Sequence, residues 1–329
     1  MANTFINGRR PWASIILAAG KGTRMKSEVP KVMHHLLGKP IIGHVLDLLR
    51  NLDIGPRVVV AGHGGDLVRD YLKKTDIKLV VQEQQLGTGH AASCAKAALG
   101  EFHGNVLIIC GDTPLLKENT LASFMEDHAA SGRILSLLTA HLKDPTGYGR
   151  VLRSVSEDAQ IQGIVEEKDA TEAQRRLTEI NTGTYAVDSG FLFHALDAVG
   201  CDNVQGEYYL TDIVSIAVSE GVSAGAVSAA AEDEARGINS RTELARAETI
   251  LLDRIRKNWM EFGVSFELYK SIYIEPDVML SRDVTIGPHV VLKGRTTVGE
   301  GAKLGAFSYL EGVQVPPGSI IPPFSRLIN

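Results

Sequence analysis

Cysteine is scarce: the 329 residues hold three, Cys94, Cys110 and Cys201, an odd and scattered set with no CxxC pair. That excludes a structural zinc site and fits a reducing compartment. Aromatic residues reach only 6%, so the core must be mainly aliphatic. No apolar run approaches the ~20 residues that a membrane-spanning helix needs. The start, MANTFINGRRPW, lacks the apolar segment of a signal peptide. Basic residues form no stripe, and the net charge of −5 is spread with both signs mixed, which excludes an evident nucleic-acid surface. The expectation is a soluble cytoplasmic protein with neither membrane nor nucleic acid as partner.

What remains is ordinary for a globular chain: 44% hydrophobic and 22% charged residues, in a length that suits one large domain and a smaller one. From Ala13 to about Val227 short apolar runs alternate with amphipathic stretches. The runs Ser14–Ala19, Arg57–Gly62, Ile77–Gln82, Asn105–Cys110 and Ile134–Ala140 are rich in Val, Ile and Leu without polar alternation, as buried parallel strands require. Between them, Pro40 opens a helix with Ile41, Val45, Leu48 and Leu52 on one face. Asp66 is the expected N-cap of a second helix, and a third covers Lys117 to Ala130. This alternation predicts a doubly wound, mostly parallel α/β sheet, with an antiparallel extension over Tyr148 to Ala186.

A helix is predicted from Arg241 to Phe262, with Ser240 and Glu243 at capping-box spacing and Gly263 as its stop. Its stripe of Leu244, Ala247, Leu251, Ile255 and Trp259 is expected to dock on the main domain. After Ser271, Ile274, Leu280, Ile286, Leu292, Val298, Leu304 and Leu310 recur every sixth residue. This period is the signature of a parallel β-helix, in which each hexad makes one face of a coil. Two to three coils are expected, with Pro316, Pro317, Pro322 and Pro323 stopping further strand addition.

The chemistry concentrates first in residues 17–31, LAAGKGTRMKSEVPK. The loop Gly20-Lys21-Gly22-Thr23 follows the first buried strand, where open α/β sheets bind ligands. Its glycines let backbone N–H groups approach phosphates, and Arg24 and Lys31 add cations able to hold a triphosphate and its leaving pyrophosphate. The loop is neither a dinucleotide fingerprint, which needs a third glycine where Met25 stands, nor a Walker loop, which needs Ser or Thr after a Gly-Lys pair.

This segment resembles the nucleotide-binding signature of sugar-1-phosphate nucleotidyltransferases. The closer resemblance is to the uridylyltransferase half of the bifunctional bacterial N-acetylglucosamine-1-phosphate uridylyltransferase/glucosamine-1-phosphate acetyltransferases. It is carried in family order by GHGGD at 62–66, QLGTGHA at 85–91, GDTPL at 111–115 and DPTGYGR at 144–150, then by GIVEEKDAT at 163–171, EINTG at 179–183 and QGEYYLTD at 205–212. The resemblance implies a Rossmann-like nucleotidyltransferase domain at 13–239 after a tail at 1–12. A connecting helix and linker would follow at 240–270, then a short left-handed parallel β-helix stub at 271–329.

The resemblance also implies roles. Leu17, Ala18, Ala19, Gly20, Gln82, Gly87 and Thr88 would hold the uridine, and Gly111, Gly149, Glu166, Asn181, Tyr209 and Thr211 the sugar. Arg24, Lys31 and Asp112 would be catalytic, with Mg²⁺ held by Asp112 and Asn239, a donor set suited to a metal that keeps several waters. The implied reaction is transfer of UMP from UTP to N-acetylglucosamine 1-phosphate. Each residue also has a plain reading: Asp112 as a turn acid, Asn239 as a helix cap, Gln82 as a strand-end polar residue, and Glu166 as part of a solvated charge cluster. His63, His90 and His141 read as packing or hydrogen-bonding residues, since no His/Cys spacing supports zinc.

Two departures from the family stand out. The family's acetyltransferase sites belong to later coils and a tail beyond Asn329, so that activity is expected to be missing. Cys110 stands where relatives commonly have Tyr, which would reshape the sugar pocket. A homotrimer through the hexad faces, with Val290 and Val291 in its interface, and a monomer are both open. So are a nucleotidyltransferase for another sugar 1-phosphate or nucleotide, and a non-catalytic nucleotide-binding regulator.

Overall fold

The computed structural model describes residues 10–62, 64–155, 160–228 and 231–329. Most of the tail expected at 1–12, and His63, lie outside the described residues. The chain divides into two compact units, one of residues 1–34 and 41–239, the other of residues 35–40 and 240–329. The connecting helix and the hexads therefore belong to one body, joined by a short segment from early in the sequence.

The first unit is built on a nine-stranded sheet. In chain order the elements begin with β1 (Trp12–Ala18), the two-stranded hairpin β2 (His35–Leu36) and β3 (Lys39–Pro40) that belongs to the second unit, and α1 (Ile41–Asn51). Next come β4 (Arg57–Ala61), α2 (Gly65–Leu72), β5 (Lys78–Val81), α3 (Thr88–Cys94), α4 (Lys96–Leu99) and β6 (Asn105–Cys110). They are followed by α5 (Glu118–Ser131), β7 (Leu135–His141), β8 (Arg150–Arg153), β9 (Ile161–Val165) and α6 (Glu172–Arg175). The unit closes with β10 (Glu179–Asp188), α7 (Ser189–Ala198), α8 (Asp212–Ser219) and β11 (Ala224–Ser228).

The main strand order is β11-β7-β10-β6-β1-β4-β5, with β8 and β9 branching from β10. β1, β4, β5 and β6 are parallel, whereas β10 runs antiparallel to both β6 and β7. Successive residues of the central strands serve opposite faces. Ile15, Val58, Val60, Val106 and Ile108 enter one apolar core with residues of α3, α7 and α8. Ile16, Val59, Leu107 and Ile109 enter a second with residues of α1, α2 and α5. Burial on both faces explains why these strands read as continuous apolar runs. Parallel pairing brings the carboxyl ends of β1, β4, β5 and β6 to one edge of the sheet, the edge at which such folds hold ligands.

Some local expectations change. The cap of α2 is Gly64, left-handed at φ 76°, and Asp66 lies inside the first turn, where its charge suits the helix dipole. α9 (Arg241–Phe262) has the expected ends: the Ser240 side chain accepts from the Glu243 N–H at 3.2 Å, and Gly263 closes it at φ 104°. The later part of its stripe packs on the hexad core. Leu252 is buried there, and Leu251, Ile255 and Trp259 lie against it. Arg256 on the same helix is buried and donates to the carbonyls of Ile272 and Lys270.

The hexads form three parallel ladders of four, four and three short strands. The first strand is Ser265–Phe266 and the last Arg326–Ile328, so the stack is taller than the two to three coils expected. The inward series continues past Leu310 through Val315, and the five-residue step between them breaks the six-residue period. The prolines do not stop strand addition: Ile320–Ile321 follows Pro316-Pro317, and Arg326–Ile328 follows Pro322-Pro323. Val290 is fully buried in the hexad core, which removes it from any trimer interface, while Val291 remains partly exposed.

Candidate active site

Two of the cavities that open at the carboxyl edge of the sheet, both within the first unit, share lining residues. The larger, about 370 Å³, is lined by the end of β1 and its loop (Leu17 to Lys21), by Lys31 and Val32, and by Gln82, Gln85, Gly87 and Thr88. Ala91, Cys110, Asp112 and Glu207 complete it. The smaller, about 190 Å³, takes in Gly149, Glu166, Asn181 and Thr211 beside Thr113, Gly183, Tyr185 and Asn239. Leu17, Thr88, Cys110 and Asp112 line both, so the two are lobes of one cleft meeting beside Asp112.

The backbone of the first lobe depends on two glycines. Gly22 is left-handed at φ 59°, and a Cβ there would come within 2.7 Å of the Lys31 Cβ, so only glycine lets the lysine stem pass. Gly87, at φ 111°, occupies a region closed to other residues, and its Cβ would lie 2.5 Å from the Tyr208 carbonyl. Around it the loop is fastened to the segment before α8. Tyr208 N–H donates to the Leu86 carbonyl at 2.8 Å, Gly89 N–H to the Tyr208 carbonyl at 2.7 Å, and Leu210 N–H to Thr88 Oγ1 at 3.0 Å. Gln85 Nε2 ties the same loop to the Ala19 carbonyl at 2.6 Å.

At the junction, Asp112 follows β6 and Asn239 precedes α9. Their segments are joined directly by the Ile238 N–H, which donates to the Asp112 carbonyl at 2.9 Å. Lys31 Nζ donates to Asp112 Oδ2 and, at 2.8 Å, to Asn239 Oδ1. The Lys31 and Asp112 side chains are only 12% and 17% exposed, so this ion pair is shielded from bulk water. One carboxylate and one amide oxygen thus converge on a single cation. Among the described residues no cluster of three or more His, Cys, Asp or Glu could hold a metal. Two hard oxygen donors beside open cavity space fit Mg²⁺, which takes one or two protein ligands and completes its shell with water and phosphate oxygens.

The second lobe owes its shape to a β-bulge in β10, where the register against β7 shifts between Asn181 and Thr184. Asn181 is held by its N–H to the Gly149 carbonyl at 2.9 Å and by its amide nitrogen to the Tyr185 hydroxyl at 2.7 Å. Glu166 accepts from Thr211 Oγ1 at 3.1 Å. Burial raises the pKa of Glu166 against the pull of that hydrogen bond, and Asp169, Asp212 and Glu207 push it further up. A carboxyl raised on folding destabilises the fold once it ionises. The fold of Glu166→Gln should therefore equal wild type at about pH 3, where both folded and unfolded glutamate are protonated, and exceed it at pH 8. Urea melts at the two pH values test this, and an equal gap at both would refute it.

Most residues singled out from the sequence line this cleft, but three do not. Arg24 sits on the exposed turn Thr23–Met25, outside both linings. Gly111 packs behind the wall, its N–H donating to the Leu17 carbonyl at 2.9 Å. Tyr209 is buried elsewhere: its hydroxyl donates to Asp169 at 3.1 Å and accepts from Gln205 Nε2 at 2.9 Å, and burial pushes it up to about 12. Sequence reasoning missed Lys21, Gln85 and Glu207 in the first lobe and Thr113, Tyr185 and Gly237 in the second. Lys21 lies in the glycine loop and Gln85 heads a quoted motif, so both had a signal. Cys110 stands at the junction, its thiol pushed up to about 12 chiefly by burial.

No helix among the described residues is long and apolar enough to cross a membrane. Residues 14–177 match the MobA-like NTP transferase domain. A solved structure of a Bacillus anthracis protein described as a putative glucose-1-phosphate thymidylyltransferase, crystallised with sucrose, superposes with a TM-score of 0.58 at 20% identity. It covers 73% of this chain and 94% of its own, and the likeness is one of fold. Curated relatives named bifunctional protein GlmU are far closer in sequence. The Exiguobacterium sibiricum protein is 44% identical over 94% of this chain and 68% of its own length. Those of Syntrophotalea carbinolica and of one Thermus thermophilus strain are 45% and 47% identical, over 67% and 66% of their lengths. The chain spans about two thirds of these relatives, and at that identity and coverage it belongs to the GlmU family, as a sugar-1-phosphate nucleotidyltransferase.

Proposed function

We propose that the chain transfers UMP from UTP to N-acetylglucosamine 1-phosphate, releasing pyrophosphate and making UDP-N-acetylglucosamine. The carrying observation is the two-lobed cleft whose lobes meet at Asp112, where Lys31 and Asn239 converge. UTP would occupy the lobe of Leu17 to Gly20, Gln82, Gly87 and Thr88. The sugar would occupy the lobe of Gly149, Glu166, Asn181 and Thr211, and the reacting phosphates would lie between. Arg24, Gly111 and Tyr209 act from outside the linings, through loop charge, backbone support and packing.

In this reaction a phosphate oxygen of the sugar phosphate forms a bond to the α-phosphorus of UTP. The bond from that phosphorus to the bridging oxygen breaks, and pyrophosphate leaves with the electron pair. The attacking phosphate is already an anion, so no protein base or covalent nucleophile is needed. The barrier lies in bringing two polyanions together. Lys31 supplies a cation at the junction, and Asp112 and Asn239 would hold Mg²⁺ there. When bound, Mg²⁺ offsets phosphate charge and polarises the phosphoryl oxygens. Polar groups of Glu166, Asn181 and Thr211 suit sugar hydroxyls and the acetamido group. For the 329-residue chain we propose uridylyl transfer without acetyl transfer, and a trimer through the hexad faces is the assembly to test.

Pyrophosphate release from UTP and N-acetylglucosamine 1-phosphate, with and without Mg²⁺, tests this beside glucosamine 1-phosphate with acetyl-CoA. Metal-dependent release with the acetylated sugar alone is expected. Release only with another nucleotide or sugar would reassign the substrate, and UTP binding without any turnover would favour a regulatory role.

A further inference from the structure

The first lobe contains a side-chain pair, Gln82 and His90, of which only Gln82 lines the cavity. Gln82, at the end of β5, is 3% exposed and reaches the cavity. Its Nε2 lies 3.0 Å from the Gly87 carbonyl and 2.9 Å from His90 Nδ1. A carbonyl oxygen can only accept, so the Gln82 atom facing Gly87 is the nitrogen, and His90 Nδ1 is the second acceptor that holds it there. Its second proton goes to His90 Nδ1, which must then be the unprotonated ring nitrogen. The imidazole proton sits on Nε2, 4.0 Å from Cys94 Sγ, a weak acceptor. Both amide protons are engaged by the protein. None of the described residues donates to Gln82 Oε1, the one atom of the group left to meet a ligand.

We propose that His90 is a positioning residue for base choice: by holding the Gln82 amide with its oxygen toward the cavity, it makes the site select a pyrimidine carrying a ring N–H over cytosine. Uracil presents a donor at N3, whereas cytosine presents a lone pair at the same atom, which would face the Gln82 oxygen unfavourably. Without His90 the Gly87 bond alone retains the amide. The terminal torsion of glutamine is soft, and a buried N–H left unpaired can be satisfied by turning toward the ligand. A turned amide gives up the Gly87 bond alone and offers cytosine the donor it needs. This inference rests on the uridylyl-transfer reading above.

The test compares KM and kcat for UTP and CTP, at saturating N-acetylglucosamine 1-phosphate, in wild type, His90→Leu and His90→Asn. Asparagine keeps an acceptor near the Nδ1 position and leucine does not. Wild type should favour UTP in kcat/KM by about a hundredfold or more, the discrimination expected of a site that pairs a polar group. His90→Leu should raise KM for UTP about tenfold, more than it changes kcat, and cut the UTP:CTP ratio about tenfold. His90→Asn should hold that ratio within about threefold of wild type. Thermal melts establish that each variant folds. If the leucine variant does not fold, His90→Ala takes its place, and the asparagine variant still reports whether an acceptor suffices. A UTP-preferring wild type whose ratio survives in the folded leucine or alanine variant overturns this inference alone. An equal loss with asparagine and leucine reduces His90 to packing and overturns it too. A wild type with no preference for UTP overturns both the substrate reading and the role of His90.

Discussion

Replacing Asp112 by alanine is expected to lower kcat about a thousandfold while the protein stays folded. The carboxylate does two things at the junction of the lobes: it neutralises the Lys31 ammonium, and with Asn239 it offers the oxygen pair that suits Mg²⁺. Its removal leaves an amide oxygen as the only protein donor and two phosphate-bearing substrates with less charge compensation. Losing one preorganised electrostatic group at such a point costs on the order of 10²–10³ in rate, and loss of metal affinity adds to it. The fold should survive, because the link to Ile238 uses the Asp112 backbone carbonyl, which alanine retains. Turnover at saturating substrate and Mg²⁺, with a thermal melt as control, gives the answer. Near-normal turnover in a folded variant would remove Asp112 from the metal site.

Replacing Arg150 by methionine is expected to destabilise the first unit by about 3 kcal/mol, roughly 6–12 °C in melting temperature for a body of this size. Arg150 is 1% exposed, yet it carries a full charge. Its guanidinium donates to the carbonyls of Tyr148, Leu177 (3.1 Å) and Arg175 (3.2 Å) and pairs with Glu167 at 2.8 Å. Methionine fills much of the space but withdraws the guanidinium from three carbonyls and from Glu167, which keeps the Gly147 N–H at 3.2 Å, the costly way to break a buried pair. The same bonds brace Tyr148 and Gly149, which line the second lobe, so the sugar phosphate KM should rise more than the UTP KM. Lysine should not restore either property, since a single ammonium cannot replace a planar fork serving four acceptors. A melting point within about 2 °C of wild type would show that the charge is dispensable.

The buried strands were legible from sequence because both faces of β1, β4 and β6 are covered, so no polar residue interrupts their runs. The ends of α9 were equally plain, since Ser240 and Gly263 act locally. Other features had no local signal. The hairpin of His35 to Pro40 has strands of two residues, too short for any period, and Pro40 suggested a helix start when it is the last strand residue before α1. The final coils were hidden by the single shortened step from Leu310 to Val315. In the site, the glycine loop and Lys31 could be read from residue types and spacing. The meeting of Asp112 with Asn239 could not, because residues so distant in sequence share no pattern, and only the family resemblance paired them. The same resemblance included Tyr209, whose hydroxyl is engaged by Asp169 and Gln205, a contact no motif reveals.

The wall common to the two lobes has a consequence for kinetics. Leu17, Thr88, Cys110 and Asp112 line both lobes, so with one substrate in each, as proposed, each would alter the surface offered to the other. Whatever factor one bound substrate contributes to the affinity of its companion must be returned in equal measure, because binding free energies form a closed cycle. Substitutions confined to a single lobe leave that factor alone, whereas those on the common wall change it. In that placement cross-talk between the substrates would run through the common wall, and it can be separated from the strength with which either substrate binds alone.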